Sequence, residues 1–170
     1  MTDIAAALDL RDATLYHYFP DKQSLAYACH RRSLERFEHL LLTIDRAGGM
    51  GEEKLRLFIR GMLVTSQQQG SLLYFGDYPY LDAAQRTVIS DWADRLKGGL
   101  VKFMEEGMND GSVVQCEPLI VVNLLLGMLI WMVKWAPAFD GLTVDRLMNA
   151  IDAFSFRGLD DRRAAGSKKR

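Results

Sequence analysis

The chain has 170 residues, 49% hydrophobic and 25% charged, with a formal net charge of −1. That length allows one sizeable core or two small ones, and the even charge balance excludes a partner chosen by net charge alone. Cys29 and Cys116 stand far apart without metal-ligand spacing, which excludes a disulfide framework of the small secreted kind. Two small buried thiols in a reducing cytoplasm are expected, with a redox pair as the alternative. Met1-Thr2-Asp3 lacks the basic and apolar regions of a signal peptide, so none is expected.

Ile4 and Leu8 lie one helical repeat apart, which predicts a short first helix with Thr2 or Asp3 accepting from its free amides. Leu15 and Phe19 repeat that spacing, and Asp12 near the start suits the helix dipole, so a second short helix runs up to Pro20. From Pro20 to about Ala47 a long helix is predicted on Leu25, Phe37, Leu40, Leu41 and Ile44, ended by Gly48-Gly49. Another spans Glu52 to about Gln69, with Leu55, Phe58, Ile59 and Met62 on one side and Gly70 closing it. The aromatic segment from Leu72 to Leu81 reads as a short helix or an irregular link. A long helix from about Ala83 to Gly107 follows, with Val88, Trp92, Leu96 and Phe103 at helical spacings. Pro118 starts an apolar helix reaching about Ala136, because a missing amide costs nothing in a first turn. Thr143 caps a last helix through about Phe156, with Val144, Leu147, Ile151 and Phe154 inward. No strand period and no internal repeat is present, so the expected fold class is all-α.

Around the anchors Leu15 and Phe19 stand Thr14, Tyr16, His17 and Tyr18, a dense set of hydroxyl, imidazole and aromatic groups for a solvated helix. Such groups bond phosphate oxygens and base edges in a major groove. Lys22 begins the next helix, where ammonium and backbone amides together can hold a phosphate. Residues 1–47 carry six Lys and Arg against seven Asp and Glu, so no basic stripe reinforces them.

The stretch Ile4-Ala5-Ala6, Leu8, Leu10, Thr14-Leu15-Tyr16-His17-Tyr18-Phe19, Lys22 and Leu25 resembles the helix-turn-helix of the tetracycline-repressor (TetR) family of bacterial transcriptional regulators. The resemblance implies that Thr14, Tyr16, His17, Tyr18 and Lys22 contact operator DNA, with His17 reading a base. It implies that residues 1–46 are the helix-turn-helix and its connecting helix. It also implies a further helix packed across these two, and position 1 falls at the start of the second, so an incomplete three-helix unit is expected. The turn departs from the family by holding Asp9, Arg11, Asp12 and Ala13 in place of glycine and a hydroxyl cap. Asp tolerates the left-handed conformation, but carboxylates beside DNA repel phosphate unless paired, for example with Arg11.

Residues 47–158 resemble in layout the helical regulatory domain of the same family, with fragments such as Glu105-Glu106-Gly107 and Leu126-Gly127, and a disordered basic tail is expected over 159–170. That family pairs its last long helices in a four-helix dimer interface, which accounts for the run from Leu119 to Val133. The run is apolar nearly all round yet falls short of the roughly 20 residues that span a bilayer, so no membrane partner is expected. Gly127 in mid-helix costs about 1 kcal/mol relative to Ala and is expected where another backbone crosses. The resemblance further implies an effector pocket, for which Phe58, Met62, Tyr74, Phe75, Tyr78, Trp92, Met128, Trp131 and Met132 are candidates. Aromatic and methionine side chains suit a small, largely apolar effector, with plain core packing as the alternative for each residue.

The function expected is a ligand-responsive DNA-binding regulator, a repressor that binds a palindromic operator as a cytoplasmic homodimer. The alternative is a dimeric ligand-sensing or interaction module that does not read DNA. No enzyme, cofactor or metal is expected. The chain holds no Gly-x-Ser-x-Gly, His-Glu-x-x-His or glycine-rich phosphate loop, and adjacent Glu105 and Glu106 diverge by about 100 degrees on a helix.

Overall fold

Periodic apolar stripes and strong stop signals give helices throughout. The computed structural model, which describes residues 1–69 and 78–158, contains α1 (Thr2–Ala7), α2 (Asp12–Tyr18), α3 (Lys22–Ala47), α4 (Gly51–Gln69), α5 (Ala83–Asp110), α6 (Pro118–Trp135) and α7 (Val144–Ile151). No strand occurs among the described residues, and the fold is all-α. Tyr74, Phe75, most of the aromatic link and the basic tail from residue 159 lie outside the described residues. Two units are present, Met1–Ile130 and a second beginning at Trp131.

The core of the first unit lies where α3, α4 and α5 pack on one another. Leu34, Phe37, Leu41 and Ile44 of α3 are buried, as are Leu55, Phe58, Ile59 and Leu63 of α4 and Ile89, Leu96, Leu100 and Phe103 of α5. Each fully buried side chain of this kind stabilises by about 1.5 to 3 kcal/mol. The rings of Phe37 and Phe58 meet edge to face with centroids 4.9 Å apart, joining α3 to α4. Val88, expected inside, is exposed, and its neighbour Ile89 is fully buried instead. Ile89, Leu96, Leu100 and Phe103 follow seven-, four- and three-residue steps that keep one face, whereas the step from Val88 drifts off it.

Helices α4 and α5 cross almost backbone to backbone. A side chain at Gly51 would collide with the Gly107 backbone nitrogen and the Phe103 carbonyl oxygen. At the same crossing the Gly51 amide donates to Asp110 Oδ2 at 2.8 Å and the Glu52 amide to Ser112 Oγ at 3.1 Å, so the end of α5 caps the start of α4. Gly107 is therefore an interior residue of α5 and not its stop. The helix runs on to Asp110 and ends at Gly111, whose φ of 80° supplies the left-handed cap. Gly127, where a crossing was expected, is exposed, and a methyl group added there would meet nothing within 4 Å.

A charge cluster closes the same end. The Lys54 side chain is 8% exposed and its ammonium lies 2.7 Å from Glu106 Oε2 and 3.3 Å from Asp45 Oδ1. It also sits 5.2 Å from the centre of the Phe103 ring, while Lys102 reaches Asp45 Oδ2 at 2.8 Å.

In the second unit a 3₁₀ turn, Ala136–Ala138, follows α6. Thr143 Oγ1 accepts from the Arg146 amide at 3.2 Å, the cap expected from sequence. Met148 and Ile151 are buried, but Phe154, expected inward, is exposed. Beyond Ile151 the chain widens through Asp152–Phe156, where the Arg157 amide reaches the Asp152 carbonyl five residues back at 3.0 Å. That wider turn breaks the register on which an inward Phe154 depended. The cysteines also differ from expectation: Cys29 is exposed and Cys116 half-buried, because Cys29 stands on the outer side of α3 beside inward-facing His30.

Candidate nucleic-acid interface

The turn between α1 and α2 is closed by backbone bonds that require a left-handed residue. The Leu10 amide donates to the Ala5 carbonyl at 2.9 Å and the Asp9 amide to the Ala6 carbonyl at 3.2 Å, with Asp9 at φ 54°. This paired arrangement commonly uses glycine, and Asp is among the few side chains that tolerate it. Neither Thr2 nor Asp3 caps α1. Met1 holds that position, and the Thr2 hydroxyl donates across the turn to Asp12 Oδ2 at 2.9 Å. Thr2, rather than Arg11, is thus the partner that engages the Asp12 carboxylate.

Buried Ala5 and Leu15 let α1 and α2 approach closely. Leu15 is the buried residue of α2, leaving Thr14, Tyr16, His17 and Tyr18 exposed, with Tyr18 at 69%. The rings of His17 and Tyr18 meet edge on at 5.2 Å. Phe19 does not continue the helix: it adopts extended backbone ahead of Pro20. Leu8, expected to bury beside Ile4, is 59% exposed because α1 ends one residue before it.

Lys22 is exposed at the first position of α3. Of the amides expected to assist it in holding phosphate, that of Ser24 is engaged by Asp21. Its Oδ1 accepts from the Ser24 amide at 2.7 Å, and the Ser24 hydroxyl accepts from the Asp21 amide at 3.3 Å in a reciprocal capping box. The bond from the Ser24 amide holds the Asp21 carboxyl below its ordinary value of 3.8. Lys22 therefore stands exposed beside a helix start that already carries the Asp21 carboxylate.

The effector candidates are dispersed in role. Phe58 is buried against Phe37, and Met62 and Met128 are half-buried. The Trp92 indole donates to Glu38 Oε1 at 3.3 Å, which turns it toward α3. Trp131 is 65% exposed, while Met132 is buried. An apolar run such as Leu119 to Val133 carries no periodic contrast, so sequence could not separate its outer residues from its inner ones. Sequence reasoning missed two polar groups on the buried stripe of α3, His30 and Ser33, which are 6% and 1% exposed. Tyr78 lies edge on to His30 with centroids 5.4 Å apart. The signal was available in their spacing from Phe37, since positions 30, 33, 34 and 37 share one face.

Residues 48–159 match the family described as Tetracyclin repressor-like, C-terminal domain. The chain belongs to this family. Its architecture is also similar to solved structures of TetR regulators. PfmR from Thermus thermophilus superposes with a TM-score of 0.74 at 21% identity, covering 93% of this chain and 87% of that one. AibR, solved in complex with isovaleryl coenzyme A and operator DNA, gives a TM-score of 0.74 at 23% identity, covering 92% of this chain and 86% of that one. SCO3833 from Streptomyces coelicolor gives 0.73 at 17% identity, with 94% and 81% covered. No curated protein matches the chain. The TetR-like family match takes in α4 to α7, and the likeness in fold extends over α1 to α3 as well. No helix among the described residues is long and apolar enough to cross a membrane.

Proposed function

We propose that this protein is a ligand-responsive, DNA-binding transcriptional regulator that represses from a palindromic operator as a homodimer in the cytoplasm. The observation that carries the reading is α2, a short helix anchored by one buried leucine that presents Thr14, Tyr16, His17 and Tyr18 to solvent, with Lys22 beyond it. A role in regulation and not catalysis accords with the family of its α4 to α7 region. The likeness to AibR, whose structure holds operator DNA and an acyl coenzyme A, supports a DNA partner and a small-molecule effector. The effector is small and largely apolar, bound near Phe58, Met62, Trp92 and Met128, with His30 and Tyr78 as polar groups that orient it. Two recognition helices of a dimer enter successive major grooves about 34 to 36 Å apart, and an effector that favours another spacing releases DNA.

The charge balance of residues 1–47, six Lys and Arg against seven Asp and Glu, favours a second reading, a dimeric sensing module that does not bind DNA. The test is selection of duplexes from a random-sequence pool, followed by anisotropy titrations over a salt series. Enrichment of a palindrome whose binding weakens log-linearly with salt supports the regulator. Absence of enrichment, with dimerisation retained, supports the sensing module.

A further inference from the structure

We propose that Gln23 is a positioning residue for DNA reading: it ties the first turn of α3, which follows α2 in the chain after a three-residue link, to the start of α5. The inference rests on the reading of α1 and α2 as a DNA-reading pair. Gln23 Nε2 donates to Asp82 Oδ2 at 2.8 Å and to Gln85 Oε1 at 3.1 Å. Both acceptors already belong to the cap of α5, where Asp82 Oδ1 accepts from the Gln85 amide at 2.8 Å and Gln85 Oε1 from the Asp82 amide at 3.3 Å. One carboxamide therefore uses its two N–H groups on two residues that hold each other in place. Such a fork fixes direction as well as distance, which a single bond on a long side chain does not.

A second contact lies two helical turns further along α3. His30, seven residues after Gln23 and on the same face, meets Tyr78 at 5.4 Å, four residues before Asp82. Between these contacts Leu81 is buried, and Arg86 Nε donates to its carbonyl at 2.9 Å. Residues 78–86 thus grip the N-terminal half of α3 at two points. Any shift of that segment is transmitted to the base of the helix-turn-helix through Gln23, which makes it a physical route by which an effector alters the presentation of α2.

The charge pattern supplies the test. Gln23→Glu sets a carboxylate against Asp82 and breaks the fork. Adding Asp82→Asn restores the arm to position 82 with donor and acceptor exchanged, because the new amide donates to the introduced carboxylate and its oxygen still caps α5, while the arm to the acceptor Gln85 Oε1 stays lost. With duplexes selected by the wild-type chain, Gln23→Glu lowers affinity by about tenfold and the double variant, with one arm regained, recovers part of it, to within about threefold, while binding to random-sequence DNA stays level. Nitroxide distances between labels at Tyr18→Cys and Arg95→Cys, in a Cys29→Ser, Cys116→Ser background, broaden in the single variant and narrow again in the double. An unchanged distance distribution overturns the positioning role whether or not DNA binds. Failure of the wild-type chain to select any duplex overturns the DNA reading instead, and leaves the distance result to decide the role of Gln23.

Discussion

His17 and Lys22 are both exposed, yet their surroundings assign them different work. His17 lies in the last turn of α2 beside Tyr18, whereas Lys22 offers an ammonium at the start of α3, where Asp21 accepts from the Ser24 amide. His17→Ala is expected to weaken binding to a selected operator about tenfold, with little change on random DNA. Lys22→Ala is expected to weaken both alike and to reduce the salt slope by about one. Anisotropy titrations on both duplexes check the pair, and a uniform loss for His17→Ala would make it a backbone contact. The Lys54 cluster gives a second prediction at this scale. The hydrogen bond to Glu106 holds the Lys54 ammonium above its ordinary value of 10.5, and the bond from Lys102, followed by that from Lys54, holds the Asp45 carboxyl below 3.8. A raised lysine contributes stability that is complete below 10.5 and lost as pH rises through the folded value. A lowered aspartate contributes stability present above 3.8 and lost as pH falls through its folded value. Lys54→Met should therefore cost about 1 to 2 kcal/mol at neutral pH, a figure kept low by the partial exposure of both carboxylates. The gap from wild type narrows below about pH 4, measured by urea unfolding across a pH series, and a gap that persists in acid would remove Asp45 from the account.

At the scale of elements, the Gly51–Gly107 crossing decides how α4 meets α5. The neighbours of a Gly51 side chain are backbone atoms that cannot turn aside. Gly51→Ala is expected to destabilise by about 1 to 3 kcal/mol, the usual cost of overpacking. Gly98→Ala, also on α5 but facing open space, is expected to stabilise by about 0.5 to 1 kcal/mol. Thermal unfolding of the two variants separates a packing role for Gly51 from a general effect of glycine. This crossing also marks where sequence ran out. Helix positions were legible because Pro20, Gly48-Gly49, Pro118 and Thr143 act on the local backbone. Whether a glycine stops a helix, as Gly111 does, or admits another backbone, as Gly51 does, depends on a helix some fifty residues away. The exposed set on α2 was legible for the converse reason, since Leu15 is its clear apolar anchor. Gln23 was not, because its acceptors Asp82 and Gln85 are distant in the chain and carry no periodic signal.

At the scale of the whole molecule, α6 poses a solvation problem that a single chain leaves open. Val122 and Leu129 are buried, while Leu119, Ile120, Leu124 and Trp131 of the same helix are exposed, Leu124 at 69%. On the twofold regulator proposed above, these apolar groups are the surface for a partner, and Gly127, with open space around it, leaves room for close approach. A second copy of the chain is the occupant that the proposed palindromic operator requires, since a twofold protein matches twofold DNA. Leu124→Glu would place a charge within such an interface, where burying it unpaired is costly. The variant is expected to sediment as a monomer at concentrations where the wild type is a dimer, with helical content by circular dichroism unchanged. Its affinity for the full palindrome should fall toward that of a half-site, because the two recognition helices then bind independently and lose their mutual effective concentration. A dimer that survives Leu124→Glu with full operator affinity would move the interface off this face of α6, and the presentation of α2 would then have to be set by another pair of helices.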